Sequence, residues 1–210
     1  RDKPVSDKIT IIATYKKVLS HKGVLSLLPL FLLMGFTVFG IFTYTGQLLT
    51  ERFNYDIFTV GAMLSPFGIG IIVAGKAMGT LRSKLGLFYM PFNGVVIGGA
   101  LMGISITHTP ALFCVYLFLF GAGFILFQPV FISKIQEQIP DMKGSIMSLA
   151  SFGLFSGGAI GTTLNGFIIK HGSMSMMLYI SALIIVMTGF LAAYIFSKLD
   201  TPLKDNSINK

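Results

Sequence analysis

The chain has 210 residues, of which 53% are hydrophobic and 11% charged, with a mean hydropathy of +0.79 and a net charge of +8. Soluble domains usually carry about 25% charged residues. The composition therefore excludes an ordinary soluble domain and indicates an integral membrane protein. All eight acidic residues lie at the ends of the apolar runs or outside them.

The chain opens with a basic segment, residues 1–25, which holds six lysines and arginines. We predict a short amphipathic helix here that lies against anionic headgroups on the cytoplasmic side. Ser6 and Asp7 can cap it, and its apolar face is formed by Ile9, Ile12, Tyr15 and Leu19. The first residue is not methionine, so we expect a protein that continues upstream, with tag removal or trimming as the alternative.

Six apolar runs follow in chain order: 26–49, 57–80, 88–107, 111–133, 145–169 and 176–197. Each is close to the ~20 residues that cross a bilayer as a helix. We therefore predict an all-α domain of six transmembrane helices over residues 26–197 and a tail over residues 198–210. The single cysteine, Cys114, lies within the fourth run and is predicted to be a packing residue.

Basic residues are distributed unevenly between the connecting segments. Thirteen of the sixteen lie in residues 1–25, 81–87, 134–144 and 198–210, whereas the other side has only Arg52 and Lys170. Under the positive-inside rule both termini are cytoplasmic. The net charge then reflects membrane orientation, and no nucleic-acid partner is predicted.

Lys76 is the remaining basic residue, and it lies inside the second run. Residues 70–77 match the sequence pattern of a phosphate-binding loop up to Gly75 and Lys76. The pattern then requires Ser or Thr, whose hydroxyl holds magnesium, but this chain has Ala77. Such a loop also needs free backbone N–H groups, which a transmembrane helix does not offer. Two interpretations remain: Lys76 extends to the interface, or it forms a gating contact with a carboxylate. That carboxylate is either one such as Glu137 or one in the part of the protein expected upstream.

A shift of 83 residues superimposes the second run on the fifth and the start of the first on the start of the fourth. Three helices followed by three similar helices predict a 3+3 inverted repeat, because an odd number of crossings reverses the second unit. The matched pairs are Gly61 with Gly144, Ser65 with Ser148, Gly70 with Gly153, Gly75 with Gly158, and Gly40 with Gly123.

The segment after the second run carries a family resemblance. Gly79, Leu81, Lys84 and Gly86 are similar to the loop signature of the major facilitator superfamily, although Ser83 replaces its acidic residue. Leu87 and Phe88 also replace the trailing basic pair. Residues 139–144 and the glycines of the fifth run, Gly153, Gly157, Gly158 and Gly161, resemble the loop between helices ten and eleven and the eleventh helix.

The resemblance implies the C-terminal half, helices seven to twelve, of a twelve-helix carrier, and it is suggestive of the drug:proton antiporter branch. Residues 1–25 would then connect the two halves. It further implies alternating access, efflux of small amphipathic compounds, and an inner or plasma membrane. The preference for Lys over Arg and the Ile- and Phe-rich usage indicate a bacterium. The implied partners are the lipid bilayer, a missing N-terminal half that supplies the proton site, and a small-molecule substrate.

In the family geometry the first, second, fourth and fifth helices of this half face the substrate cavity. Aromatic and methionine side chains there suit a hydrophobic ligand of variable shape, although such side chains also face lipid or packing neighbours. Gln128 beside Pro129 is a polar candidate. The predicted cavity residues are Phe36, Phe39, Phe42, Thr43, Tyr44, Met63, Phe67, Phe120, Phe124, Phe127, Gln128, Met147, Ser151, Phe155 and Asn165.

His21, His108 and His171 fall in connecting segments, and no carboxylate lies in mid-membrane. No metal cluster or catalytic set can be assembled, so we predict neither an enzyme, nor a metal, nor a cofactor. Proton coupling would then depend on the missing half. The alternative is a self-sufficient six-helix scaffold or channel that acts as a homodimer.

Overall fold

The computed structural model describes residues 7–200, with side chains from residue 13 onward. Within that range the fold is all-helical and contains no strand, as predicted. The helices are α1 (Asp7–Ser20), α2 (Lys22–Phe53), α3 (Ile57–Leu85), α4 (Tyr89–Ile106), α5 (Pro110–Gln136), α6 (Lys143–His171) and α7 (Met174–Asp200). Ser6 and residues 201–210 of the tail fall outside the described residues. The side chains of Asp7, Ile9 and Ile12, on which the predicted cap and apolar face depend, fall outside the described side chains.

Five segments of the described chain are long and apolar enough to cross a membrane. One of them, Ile57–Ile106, has 50 residues and contains both α3 and α4. These two helices are separated by a 3₁₀ turn, Gly86–Phe88, whose Gly86 has φ 51°. Glycine adopts this left-handed backbone without a steric penalty, and it explains why the loop signature ends in glycine here.

Contacts at the two ends show that the chain reverses between α3 and α4. At one end Arg52, in the last turn of α2, donates to the carbonyl oxygens of Thr107 at 2.8 Å and Ser105 at 3.1 Å, just where α4 ends. At the other end the Tyr89 hydroxyl, where α4 begins, donates to the carbonyl of Leu126 in α5 at 3.0 Å. Since α3 starts next to Arg52 and ends next to Tyr89, α4 runs back alongside it.

The start of α3 is fixed by Asp56 in the short connection after α2. Its carboxylate accepts hydrogen bonds from the Phe58 backbone N–H at 3.1 Å and the Thr59 hydroxyl at 2.5 Å. A side-chain acceptor at this position satisfies N–H groups that the first helical turn leaves free. The Thr59 hydrogen bond stabilises the charged form and holds the pKa of Asp56 below its ordinary value.

Three close helix pairs build the bundle: α2 with α6, α3 with α5, and α4 with α7. Glycines make each approach possible, because a Cβ at Gly157 would lie 2.0 Å from the Leu32 carbonyl oxygen. A Cβ at Gly121 would lie 2.0 Å from the Phe67 carbonyl oxygen, and one at Gly189 would lie 2.7 Å from that of Met90. If α2, α3 and α4 are exchanged for α5, α6 and α7 in order, the same three pairs result.

Large apolar side chains are exposed on several helices of the bundle. On the outward sides of α4 and α7 they include Val95, Leu183 and Phe190, and on α3 they include Ile69 and Ile72. The open face of α3 also has glycines, and at Gly61, Gly68 and Gly79 an added Cβ would meet nothing within 4 Å. Between α3 and the similarly open α6, parts of α2 and α5 reach the surface.

Candidate functional site

Six phenylalanines from four helices form one continuous group, which we call the aromatic cluster: Phe39, Phe42, Phe67, Phe120, Phe124 and Phe155. Phe39 of α2 stacks on Phe155 of α6, with ring centroids 5.7 Å apart and planes within 18°. It also meets the edge of Phe124 of α5 at 6.1 Å. Phe67 of α3 continues the group, contacting Phe42 at 4.7 Å, Phe120 at 5.2 Å and Phe124 at 6.3 Å. Aromatic pairs in this range are attractive beyond their buried area.

Exposure increases across the aromatic cluster from the inside of the bundle to its surface. Phe120 is fully buried and Phe124 is 9% exposed, whereas Phe155 is 66% exposed although it stacks on Phe39. Phe39, Phe42 and Phe67 are half-buried. The cluster therefore has a fixed base and an open aromatic surface between α3 and α6, where a ligand ring can stack without repacking the core.

Hydroxyl groups lie next to the open aromatic surface. Thr43 Oγ1 and Thr162 Oγ1 are 3.4 Å apart across α2 and α6, and both side chains have accessible surface. The Thr43 hydroxyl also donates to the Phe39 carbonyl at 2.9 Å, and the Tyr44 hydroxyl donates to the Thr162 carbonyl at 2.8 Å. Thr162 was not among the predicted residues, but it continues the helical spacing of Ser151 and Phe155 on α6.

The other predicted cavity residues lie apart from the aromatic cluster. Phe36 is buried, and Phe127 is fully buried with its ring 5.3 Å from that of Phe131. Met63 lies at the α3–α5 contact, with its sulfur 3.6 Å from that of Cys114. Gln128, Met147 and Ser151 are half-buried, and Met147 contacts Gln136.

Asn165 is the most strongly buried polar candidate. Its side chain has no accessible surface, and neither amide atom has a hydrogen-bond partner among the described residues. The amide lies against α2 at Gly40, where an added Cβ would come within 3.0 Å of Asn165 Nδ2. Its place is between α2 and α6, behind the open aromatic surface.

Lys76 is exposed on the open face of α3. Glu137, suggested from the sequence as its partner, instead lies 3.2 Å from Lys134 Nζ. Both ion pairs found within residues 7–200 belong to Lys134, the second being with Asp200. Among the loop-signature residues, Gly79 and Lys84 are exposed, Leu81 is half-buried and Gly86 makes the turn.

No group of three or more His, Cys, Asp or Glu side chains within the described chain is placed to hold a metal ion. The aromatic cluster and its hydroxyls contain no titratable acid or base close to neutral pH. The groups that this surface presents to a ligand are aromatic rings and hydroxyls, which contact by stacking and hydrogen bonding.

Comparison with known proteins gives two findings. The sequence profile of the family described as Major Facilitator Superfamily matches residues 1–162. The chain is also 26% identical over 163 residues to an uncharacterized MFS-type transporter, YceJ, of Bacillus subtilis (strain 168). That alignment covers 76% of this chain but only 41% of the relative, so the matched part is less than half of that protein.

Proposed function

The chain belongs to the Major Facilitator Superfamily, and from this membership we propose that it forms the C-terminal six-helix half of a proton-coupled carrier that exports small amphipathic compounds by alternating access. It is a multi-pass membrane transporter and not an enzyme. The aromatic cluster is the observation that carries the substrate assignment. Its open, uncharged surface is suited to flat hydrophobic molecules that also carry a hydrogen-bonding group.

Two observations support a half-carrier built as a 3+3 inverted repeat. The reversal at Gly86–Phe88 supports the proposal that the 50-residue segment crosses the membrane twice, which gives six crossings in total. The helix pairs α2–α6 and α3–α5 exchange with one another when α2–α4 and α5–α7 are interchanged, as a two-fold relation requires. The B. subtilis relative has room for a second half of similar size.

We further propose a bacterial inner membrane with both termini in the cytoplasm. Chain connectivity puts Arg82, Lys84, Lys134 and Lys198 at one end of the bundle and Arg52 and Lys170 at the other, which supports that orientation under the positive-inside rule. The acidic and histidine side chains of α2–α7 lie at helix ends. The proton-coupling group therefore belongs to the other half.

The test is transport by the natural full-length protein that contains this chain, reconstituted in liposomes. An imposed pH gradient should drive saturable uptake of a lipophilic fluorescent dye. Phe39→Ala and Phe155→Ala should raise KM about tenfold, the order expected when an aromatic contact is lost. Phe190→Ala is the matched control, because Phe190 is 56% exposed on α7, away from the cluster.

If the two cluster variants and Phe190→Ala all transport the dye with wild-type KM, the substrate does not bind at the aromatic cluster. Residues 1–210 alone should not transport, because the opposite wall of the cavity and the proton site are missing. Robust saturable transport by that fragment would favour the homodimeric scaffold or channel instead.

We also propose that Lys76 contacts a carboxylate of the other half, because it is exposed on α3 and Gly79, one turn further along the same face, leaves room for another helix to approach. Lys76→Met keeps most of the apolar stem and removes the charge. In the full-length carrier this change should lower the transport rate at unchanged expression. Lys170→Met, which removes an exposed lysine outside the loop signature, is the control. Wild-type rates for Lys76→Met would leave Lys76 as an interfacial lysine only.

A further inference from the structure

Three hydroxyl groups border the open aromatic surface, and the proton of each has an acceptor within the protein. The Thr43 hydroxyl donates to the Phe39 carbonyl at 2.9 Å, and the Tyr44 hydroxyl donates to the Thr162 carbonyl at 2.8 Å. Thr162 Oγ1 lies 3.4 Å from Thr43 Oγ1, and it is the donor of this contact because the Thr43 proton is already used. The hydroxyls therefore form a directed chain from Thr162 through Thr43 to the backbone of α2.

The direction of this chain decides what Thr43 and Thr162 offer to a ligand. A hydroxyl has one proton to donate and two lone pairs that accept. With both protons directed into the protein, one lone pair of Thr43 and both lone pairs of Thr162 are left over. Thr43 is exposed and Thr162 is half-buried, so a ligand on the open surface reaches these oxygens. We call the two residues the acceptor pair, because they present acceptors while their donors are committed.

Asn165, three residues after Thr162 on α6, has amide protons but does not present them to the open surface. Its side chain has no accessible surface. The amide is covered by α2, since an added Cβ at Gly40 would lie 3.0 Å from Asn165 Nδ2. The acceptor pair therefore determines the polar character of the surface between α2 and α6.

The acceptor pair and the exposed rings lie on the same faces of their helices. Phe39 and Thr43 are four residues apart on α2, and Phe155 and Thr162 are seven apart on α6, which are the spacings of one helix face. At ~1.5 Å per residue these separations are about 6 Å and about 10 Å along the axis. Phe155 stacks on Phe39 with one ring face and is still 66% exposed. A molecule whose ring stacks on Phe155 therefore reaches the acceptor pair with a polar group about 6–10 Å away.

We propose that Thr43 and Thr162 determine specificity by selecting arylalkyl substrates that carry a protonated primary amine over the same molecules with a fully methylated amine. This inference rests on the proposed transport function, because it names the class of substrate that the aromatic cluster holds. A primary ammonium has N–H donors for both threonine oxygens, and hydrogen bonds from a charged donor are stronger than those from a neutral one. Ring faces attract any cation, methylated or not. Discrimination between the two molecules therefore depends on the acceptor pair.

The experiment is binding to the natural full-length protein that contains this chain, measured by isothermal titration calorimetry in detergent. The probes are naphthylbutylammonium and its trimethylammonium analogue, which share the ring, the chain length and the charge. The primary ammonium should bind about tenfold more tightly, the order expected of one charge-assisted hydrogen bond. Equal affinities, tighter binding of the trimethylammonium probe, or no binding of the primary ammonium would overturn the proposal.

Variants assign the preference to the acceptor pair. Thr43→Val and Thr162→Val each remove a hydroxyl with little change of shape, and each should remove most of the preference while the trimethylammonium probe binds as before. Thr162→Ser restores the hydroxyl and should keep the preference, which separates the loss of an acceptor from a loss of packing. Thr163→Val is the matched control, because Thr163 is an exposed threonine on a different face of α6 and donates to the Ala159 carbonyl at 3.0 Å. It should bind both probes like wild type.

A full preference in both valine variants would refute the role of the acceptor pair. Dye uptake in liposomes separates this result from the proposed transport function. Dye uptake together with equal affinities for the two probes would leave the carrier in place and discard the selection by Thr43 and Thr162. A preference that depends on Thr43 and Thr162, in a protein that transports neither dye nor amine, would establish the binding site and overturn the carrier.

Discussion

Replacing Arg52 by methionine removes the group that closes the end of α4. The Arg52 guanidinium donates to three carbonyls there, those of Ile104, Ser105 and Thr107. The last carbonyls of a helix have no partner within it, and a cation at that end is further favoured by the helix dipole. We expect Arg52→Met to leave these acceptors without their donor and to separate the end of α2 from that of α4.

The magnitude follows from the number and the surroundings of these hydrogen bonds. A hydrogen bond to a charged group contributes about 1.5–3 kcal/mol, so three would sum to well above 4 kcal/mol if they were independent. They share one side chain that is half-buried near the membrane surface, where water can replace part of the loss. We therefore expect a destabilisation of about 2–3 kcal/mol.

The assay is thermal unfolding of the purified protein in detergent, in which about 2–3 kcal/mol corresponds to a fall in Tm of roughly 5–10 °C for a unit of this size. Arg52→Lys should lie between wild type and Arg52→Met, because one ammonium cannot span the same set of acceptors. Lys170→Met is the control, since Lys170 is exposed at the same end of the bundle. Equal Tm values for Arg52→Met and Lys170→Met would refute the capping role.

Two further predictions concern packing and orientation. Gly157→Ala would place a Cβ 2.0 Å from a backbone carbonyl oxygen of α2, so this variant should lose its monodisperse peak in size-exclusion chromatography. Gly144→Ala is the control, because its added Cβ meets nothing within 4 Å, and it should elute like wild type. Cysteines placed at Ser83 and Gln138 in a Cys114→Ser background should resist an impermeant thiol reagent added outside intact cells, because basic residues surround both positions. Labelling from outside would reverse the proposed orientation.

The positions of the long helices could be predicted from hydropathy, because a bilayer-length apolar run has few other uses. Runs 26–49 and 145–169 lie inside α2 and α6, but both helices are longer than the runs. The extra turns contain charged residues such as Arg52, which lower the hydropathy of a window although they stabilise the helix end. The partners of Arg52 could not be predicted, because backbone carbonyls of a distant helix leave no signal in side-chain chemistry.

For the candidate site, the sequence indicates which helices contribute aromatic residues but not which way each side chain points. The family geometry assigned Phe120, Phe124 and Phe127 of α5 to the cavity, yet Phe127 is turned into the core toward Phe131 and Phe124 toward Phe39. A few tens of degrees around a helix separate these outcomes, and neighbouring side chains decide between them. That these residues bind substrate stays a prediction.

The ion pair between Glu137 and Lys134 could have been predicted from the sequence. Glu137 lies three residues after Lys134, a spacing at which opposite charges on one helical turn attract. From the sequence it was named only as one possible partner of Lys76, in the second of two interpretations of that lysine. An ion pair between residues three positions apart needs no tertiary contact. The spacing of Lys134 and Glu137 was therefore a stronger indication than the position of Lys76 in an apolar run.

Arg52 and Lys134 give the proposed inverted repeat a support that the glycine matches do not. Each lies in the last turn of the first helix of its three-helix unit, and each holds the end of the third helix, α4 or α7. Arg52 does so through backbone carbonyls and Lys134 through the Asp200 carboxylate, at opposite ends of the bundle. The two residues are 82 positions apart and so do not align under the 83-residue shift. Because their chemistry and register differ, a common sequence motif cannot account for the shared role. The shared role follows from the topology, in which the first and third helices of each unit end on the same side.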